Sequence, residues 1–303
     1  MRFFLELSKI LCNFAPQETV LLFRTMQYTL NIKERLMDLS EPVVMGILNA
    51  TPDSFFAGSR RQTEQEIAER ANEIVAQGGR MIDVGAYSTR PDAQEVSEQE
   101  EMARLRMALA VVRREQPEAA VSVDTFRPDV ARMAVEEYGA DVINDVSEGG
   151  VTGIANTPLT AGEEGVPPMF RMVARLGVPY VLMSVQPTLR ETLLVFARKV
   201  QMLRDLGQKD IILDPGFGFG KTLEQNYALM NEMERLQVMG LPVLVGISRK
   251  SMIYRLLGVM PAEALGGTTA LNTIALMKGA SILRVHDVRE AVECVRIVNS
   301  LNG

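Results

Sequence analysis

The chain has 303 residues, 47% of them hydrophobic and 23% charged, with a formal net charge of −6. That composition is ordinary for a globular enzyme, and the negative balance argues against a nucleic-acid partner or an anionic membrane surface. No apolar run reaches the roughly 18 residues needed to span a bilayer, whereas a local cluster of arginines can still receive an anionic substrate.

The first 26 residues have apolar patches interrupted by Glu6, Lys9 and Glu18, with no small-residue cleavage site after a clean apolar core. They do not read as a signal peptide; residues 1–26 are expected to be an extension without catalytic meaning, Met26 being an equally good start. Cys12 and Cys294 show no metal-ligand spacing and are expected as free thiols in a reducing cytoplasm. Residues 27–41 predict a small hairpin closing the bottom of the domain that follows, 42–303.

From there, short apolar runs alternate with helical patterns. The strands are VVMGILN (43–49), RMIDVGA (80–86), AVSVDT (120–125), ADVINDV (140–146), PYVLMS (179–184), DIILDPG (210–216), PVLVGIS (242–248) and SILRVHD (281–287). Each is nearly continuous in apolar residues, as strands buried on both faces are. The first helix carries Ile67, Ala71, Ile74 and Val75 at helical spacing and stops at Gly78-Gly79. The second opens on Ser97-x-x-Glu100, a capping-box pattern, and buries Met102, Leu105, Leu109 and Val112. Pro128 suits a first helical turn. Residues 147–168 are a long irregular insertion. Thr222 and Gln225 form a second capping box, so Gly216–Gly220 is a strand-to-helix loop. Although that loop runs into Gly-Lys-Thr, Pro215 stands where a phosphate-binding P-loop needs its first glycine, and proline has no N–H to offer a phosphate. Eight strand–helix units in strict alternation predict a (β/α)8 barrel rather than an open dinucleotide-binding sheet, whose glycine fingerprint is absent after the first strand.

In such a barrel the functional face is built at the C-terminal strand ends. Those ends carry Asn49, Asp83, Asp124, Asn144, Met183, Asp214, Ser248 to Ser251, Arg284, His286 and Asp287. Turn chemistry alone explains any one of them but explains the whole set poorly. Asp124, Asn144 and Asp214 suit a flat heterocycle with an amidine edge and a carbonyl. Lys250, Arg284, His286 and Arg90 supply the opposite field, for phosphate or carboxylate. His286 is the only histidine, and its place beside Arg284 favours anion binding over a structural role.

At these residues the sequence resembles the dihydropteroate synthase family over 42–300. GILNATPDSF, MIDVGAYSTRPDA, SVDTFRPDVA, INDVS, ILDPGFGFGKT, VGISRKS and RVHDV match family segments in order. The resemblance implies joining of 6-hydroxymethyl-7,8-dihydropterin diphosphate to p-aminobenzoate, with release of pyrophosphate. It implies that Asp124, Asn144, Asp214 and Lys250 hold the pterin, with Met183 and Phe219 packing near it. Asn49 falls at the Mg2+ and diphosphate site, Arg284 and His286 at the diphosphate, and Thr89, Arg90, Pro91 and Ser251 at the aminobenzoate. A cytoplasmic homodimer acting on small molecules, with Mg2+ as cofactor, is implied as well. Three places depart from the family: Ala57 where Asp is usual, Ser184 where His is usual, and Ala86-Tyr87-Ser88 where Gly-Glu-Ser is commoner. They leave the pterin and diphosphate positions intact and point at loop closure and turnover. Two alternatives share the pocket: a non-catalytic pterin-binding paralogue, and a methyltetrahydrofolate-binding methyltransferase domain, which has no need of the Arg284–His286 pair.

Overall fold

The computed structural model describes residues 28–32, 35–50, 60–87, 96–149 and 165–302. The expected extension, Cys12, Ala57, Thr89, Arg90, Pro91 and most of the 147–168 insertion lie outside them.

A two-stranded antiparallel hairpin, β1 (Thr29–Ile32) and β2 (Arg35–Asp38), precedes eight parallel strands. These are β3 (Val43–Asn49), β4 (Met81–Gly85), β5 (Ala120–Asp124), β6 (Val142–Asp145), β7 (Tyr180–Met183), β8 (Ile211–Asp214), β9 (Leu244–Val245) and β10 (Ile282–Val285). They are ordered β8-β7-β6-β5-β4-β3-β10-β9, and a parallel bridge from Leu213 to Val243 joins the two ends. The expected barrel therefore forms. The helices are α1 (Arg60–Ala76), α2 (Glu98–Glu115), α3 (Pro128–Tyr138), α4 (Pro168–Leu176), α5 (Leu189–Asp205), α6 (Leu223–Asn231), α7 (Ser251–Leu257), α8 (Leu265–Met277) and α9 (Val288–Asn302).

Side chains alternate across each strand, and this alternation builds the site. One set, with Val44, Ile82, Val121, Ile143, Leu182, Leu213 and Leu283, packs outward among the helices. The other fills the barrel in layers. Its bottom layer is apolar, with Met45, Met81, Ala120, Val142, Val181, Ile212, Leu244 and Ile282, and Leu30 and Ile32 of the hairpin pack onto it. Two residues further along the same strands the inward series reads Asp83, Ser122, Asn144, Met183, Asp214 and Arg284. The barrel is thus dry below and polar above.

Two local readings need correction. Ser97 caps α2 by accepting from the Glu100 N–H, but the Glu100 carboxylate pairs with Arg104 one turn on and does not complete a box. The run 242–248 gives only Leu244–Val245 as strand. After it the chain turns, with Lys250 N donating to Ile247 O and Arg249 at φ 54°. Pro128 and the Thr222–Gln225 box occupy the helix starts assigned to them.

Candidate active site

The centre of the barrel mouth is an ion-paired network. Arg284 donates from Nε to Asp83 Oδ2 at 2.6 Å and from Nη2 to Asp124 Oδ2 at 2.7 Å. Asn144 Nδ2 donates to the same Asp83 oxygen at 3.1 Å. Asp83 is fully buried, whereas the Asp124 side chain keeps 19% of its surface. Burial pushes the Asp124 carboxyl up to about 7 against the pull of Arg284, with Asp83 adding to the rise. Asp83 Oδ1, Ser122 Oγ and Asn144 Oδ1 are buried without a hydrogen-bond partner among the described residues. Buried acceptors are normally satisfied, so this layer suits a ligand rich in N–H donors.

The loop after β8 forms one wall. Asp214 Oδ1 accepts from Gly216 N at 2.8 Å. Burial raises the carboxyl, and Lys250 opposes that rise. Gly216 lies at φ +69°, and a Cβ there would sit 2.0 Å from the Ser184 carbonyl oxygen, so only glycine fits. Lys250 donates to Phe217 O at 2.6 Å, and its ammonium lies 4.3 Å from the Phe219 ring centroid. Burial brings it down to about 8, with Asp214 opposing. Lys221, the lysine of Gly-Lys-Thr, turns into the protein and donates to the carbonyls of Ser184, Gly216 and Phe219 at 3.1, 3.0 and 3.2 Å. A P-loop lysine would instead point at phosphate, and the loop is indeed a structural clamp rather than a phosphate cradle. Met183 is fully buried and packs with Val146, Val185 and Phe219 beside this wall.

The third side is built by β3, β9 and β10. His286 Nδ1 lies 3.0 Å from Ser248 Oγ, and the His286 N–H donates to the same oxygen at 3.2 Å. Burial, with the Arg284 charge beside it, holds the imidazole down to about 4. The positive field expected from His286 is therefore absent at neutral pH, and the ring serves as a neutral hydrogen-bonding group. Arg70 of α1 fixes this strand end through His286 O at 2.5 Å and Ile47 O at 3.2 Å. Arg249 is occupied by Asp287 at 2.9 and 2.8 Å. Asn49, exposed at the end of β3, and Asp124 share the space over Gly85. A Cβ on that glycine would lie 3.7 Å from Asn49 Oδ1 and 3.8 Å from Asp124 Oδ2. Ser251 opens α7 directly after Lys250.

The structure therefore gathers Asn49, Asp124, Asn144, Met183, Asp214, Phe219, Lys250, Ser251, Arg284 and His286 at one mouth, and Thr89, Arg90 and Pro91 lie outside the described residues. Sequence reasoning gave no role to Asp83, Ser248, Lys221 or Arg70. Asp83 was legible as an inward polar residue two positions after Met81. Lys221 and Arg70 donate to backbone carbonyls, and Ser248 meets the N–H and ring nitrogen of His286 from a distant strand end; no local signal marks any of the three.

A family model described as pterin binding enzyme matches residues 45–286. The dihydropteroate synthase of Escherichia coli K12 is 39% identical over 269 residues, covering 87% of this chain and 93% of that protein. That of Bacillus subtilis is 37% identical, over 86% of this chain and 88% of its own length. Among solved structures, Xanthomonas albilineans dihydropteroate synthase with 4-aminobenzoic acid superposes with a TM-score of 0.80 at 32% identity, covering 91% of this chain and 99% of that one.

Proposed function

The chain belongs to the pterin binding enzymes and, within them, to the dihydropteroate synthases, and on that premise we propose how its own residues carry out the transfer. The observation that carries the assignment is the meeting of Asp214, Lys250, Asn144 and the Asp124–Arg284 pair at one barrel mouth. The amidine edge of the pterin donates to Asp214 and to the unpartnered Asn144 oxygen, Lys250 reaches its carbonyl side, and Met183 and Phe219 line the ring.

In the reaction the bond between the pterin methylene carbon and the diphosphate oxygen breaks, and pyrophosphate keeps the electron pair. The carbocation is delocalised over the electron-rich dihydropterin, and the carboxylates of Asp124 and Asp214 favour its positive charge. The neutral amine of p-aminobenzoate then forms the C–N bond and loses a proton to solvent, so no strong general base is required. Arg284 and neutral His286 hydrogen-bond the leaving diphosphate. Asp83 holds the Arg284 guanidinium in register for that contact. Thr89, Arg90, Pro91 and Ser251 receive the aminobenzoate.

Among the described residues no group of three or more His, Cys, Asp and Glu forms a metal site. A hard cation that binds mainly through substrate phosphates needs only one or two protein oxygens, and the Asn49 amide oxygen, exposed at the strand end beside Asp124, fits that requirement. Mg2+ bound there would neutralise the leaving diphosphate. A homodimer is part of the same reading. It is supported by exposed apolar residues on the late helices and the turn between them: Leu256, Leu257, Met260 and Met277 are 53–67% exposed. A cytoplasmic setting agrees with the free, buried thiol of Cys294. Among the described residues no helix is long and apolar enough to cross a membrane.

Labelled p-aminobenzoate tests the reading. The label should pass into a pterin product only when pterin diphosphate and Mg2+ are both present, and a chelator should abolish the transfer. Transfer that survived the chelator would remove Mg2+ from the account.

A further inference from the structure

Outside the first ring of site residues lies a buried polar cluster that the mechanism does not use. Glu101 of α2 is fully buried. One of its oxygens accepts from Thr125 Oγ1 at 2.7 Å and the other from Arg127 Nη1 at 2.6 Å. Arg127 is the residue just before α3, and its side chain is only 17% exposed. Its Nη2 donates to the Val96 carbonyl at 2.7 Å. Its guanidinium carbon lies 5.5 Å from the Tyr87 ring centroid and 5.2 Å from that of Phe126. The two rings meet edge to face at 5.2 Å.

Tyr87 and Val96 are the two described residues that flank 88–95. One guanidinium therefore holds both ends of the segment that carries Thr89, Arg90 and Pro91. A neighbouring arginine, Arg104, reinforces the near end by donating to the Ala86 carbonyl at 3.3 Å. Stability alone is a weak reason for such a cluster, because a buried ion pair roughly breaks even against apolar packing. What the pair supplies is geometry. The planar fork bonds a carboxylate and a carbonyl while its face lies against an aromatic ring, a combination that a lysine cannot reproduce.

We propose that Arg127, locked by Glu101, is a positioning residue for the aminobenzoate half of the reaction, fixing the places from which the 88–95 segment leaves and re-enters the barrel. This rests on the reading of that segment as the aminobenzoate loop. Arg127 touches neither substrate, and its effect is confined to the second one.

The test is Arg127→Lys, which keeps the charge and loses the fork, with Tyr87→Leu as a second variant that leaves the Glu101 ion pair and hence the fold in place. Steady-state kinetics should show KM for p-aminobenzoate raised about fivefold in the first and about threefold in the second, the worth of one buried cation–π or charge-assisted contact. KM for pterin diphosphate should stay within about twofold in both. Amide hydrogen exchange, which needs no substrate, should quicken at Tyr87, Val96 and Ser97 in Arg127→Lys. Equal rises in both KM values, no change in either, or unchanged exchange would each overturn the proposal. A parent protein without turnover would refute the functional reading instead, and exchange would still decide the tie.

Discussion

Asp124 and Arg284, read from the sequence as members of two different subsites, are bonded to each other, Nη2 to Oδ2 at 2.7 Å. The carboxylate proposed to face the pterin and the guanidinium proposed to face the diphosphate thus form one unit, with Asp83 behind it. In the proposed reaction the arginine keeps its carboxylates when the leaving group departs, and the new cation meets Asp124. Charge separation in the substrate is matched by a charge pair already in place, which is preorganisation in the electrostatic sense.

This coupling sets what Arg284→Ala is expected to do. Removal of the guanidinium strands the buried carboxylates of Asp83 and Asp124, so binding of a pterin lacking the diphosphate should weaken as well. His286→Ala removes only a neutral hydrogen bond and should weaken pterin diphosphate by about 1 kcal/mol while sparing the plain pterin. Calorimetry with both ligands checks the contrast. Equal losses from His286→Ala would assign that residue to the barrel rather than to the diphosphate.

Asp214→Asn preserves shape while removing the charge that faces the ring. Turnover should fall by about 100-fold or more, measured with saturating substrates. A variant that turns over like the parent would remove Asp214 from the pterin site.

The pH profile of kcat/KM should be bell-shaped. Asp124 titrates at about 7 and Lys250 at about 8. Lowering the pH through the first value adds a proton to Asp124 and abolishes its attraction for the cation. Raising it through the second strips Lys250 of the charge that holds the ring. Asp124→Asn should lower the whole profile and erase its acid limb. An acid limb that persists in the variant belongs to another group.

Two glycines should separate backbone necessity from helix propensity. Gly216→Ala would drive a methyl to within 2.0 Å of the Ser184 carbonyl oxygen at φ +69°, and thermal unfolding should show a loss of about 3 kcal/mol. Gly266 lies in α8, where an added methyl meets nothing within 4 Å, and Gly266→Ala should be neutral or gain up to about 1 kcal/mol.

The barrel was legible because nearly continuous apolar strands separated by capped helices admit few other architectures. The mouth was legible for the same reason, since strand ends come together by topology alone. What stayed hidden depends on depth and on long-range pairing. Asp83 was legible as an inward polar residue, but alternation does not say that its carboxylate is taken up by Arg284 and Asn144. The neutral state of His286 follows from burial beside Arg284; the neighbouring arginine was legible in the sequence, the depth of burial was not. Lys221 sat inside a misleading motif, and only the carbonyls of Ser184, Gly216 and Phe219 show where its charge goes. Glu100 looked like half of a capping box until Arg104 took its carboxylate. Ser184 is fully buried, and its hydroxyl accepts from the Gln186 N–H at 3.2 Å, a depth and a contact that the sequence does not carry.

The central claim is that this mouth breaks a carbon–oxygen bond to diphosphate and makes a carbon–nitrogen bond to an arylamine. The direct measurement follows pyrophosphate and dihydropteroate together, with purified protein, pterin diphosphate, p-aminobenzoate and Mg2+. The account predicts that both appear at the same rate in one-to-one ratio and that both are lost in Asp214→Asn. Tight binding of pterin diphosphate with no dihydropteroate formed would contradict it and leave a pterin-binding protein without the synthase reaction.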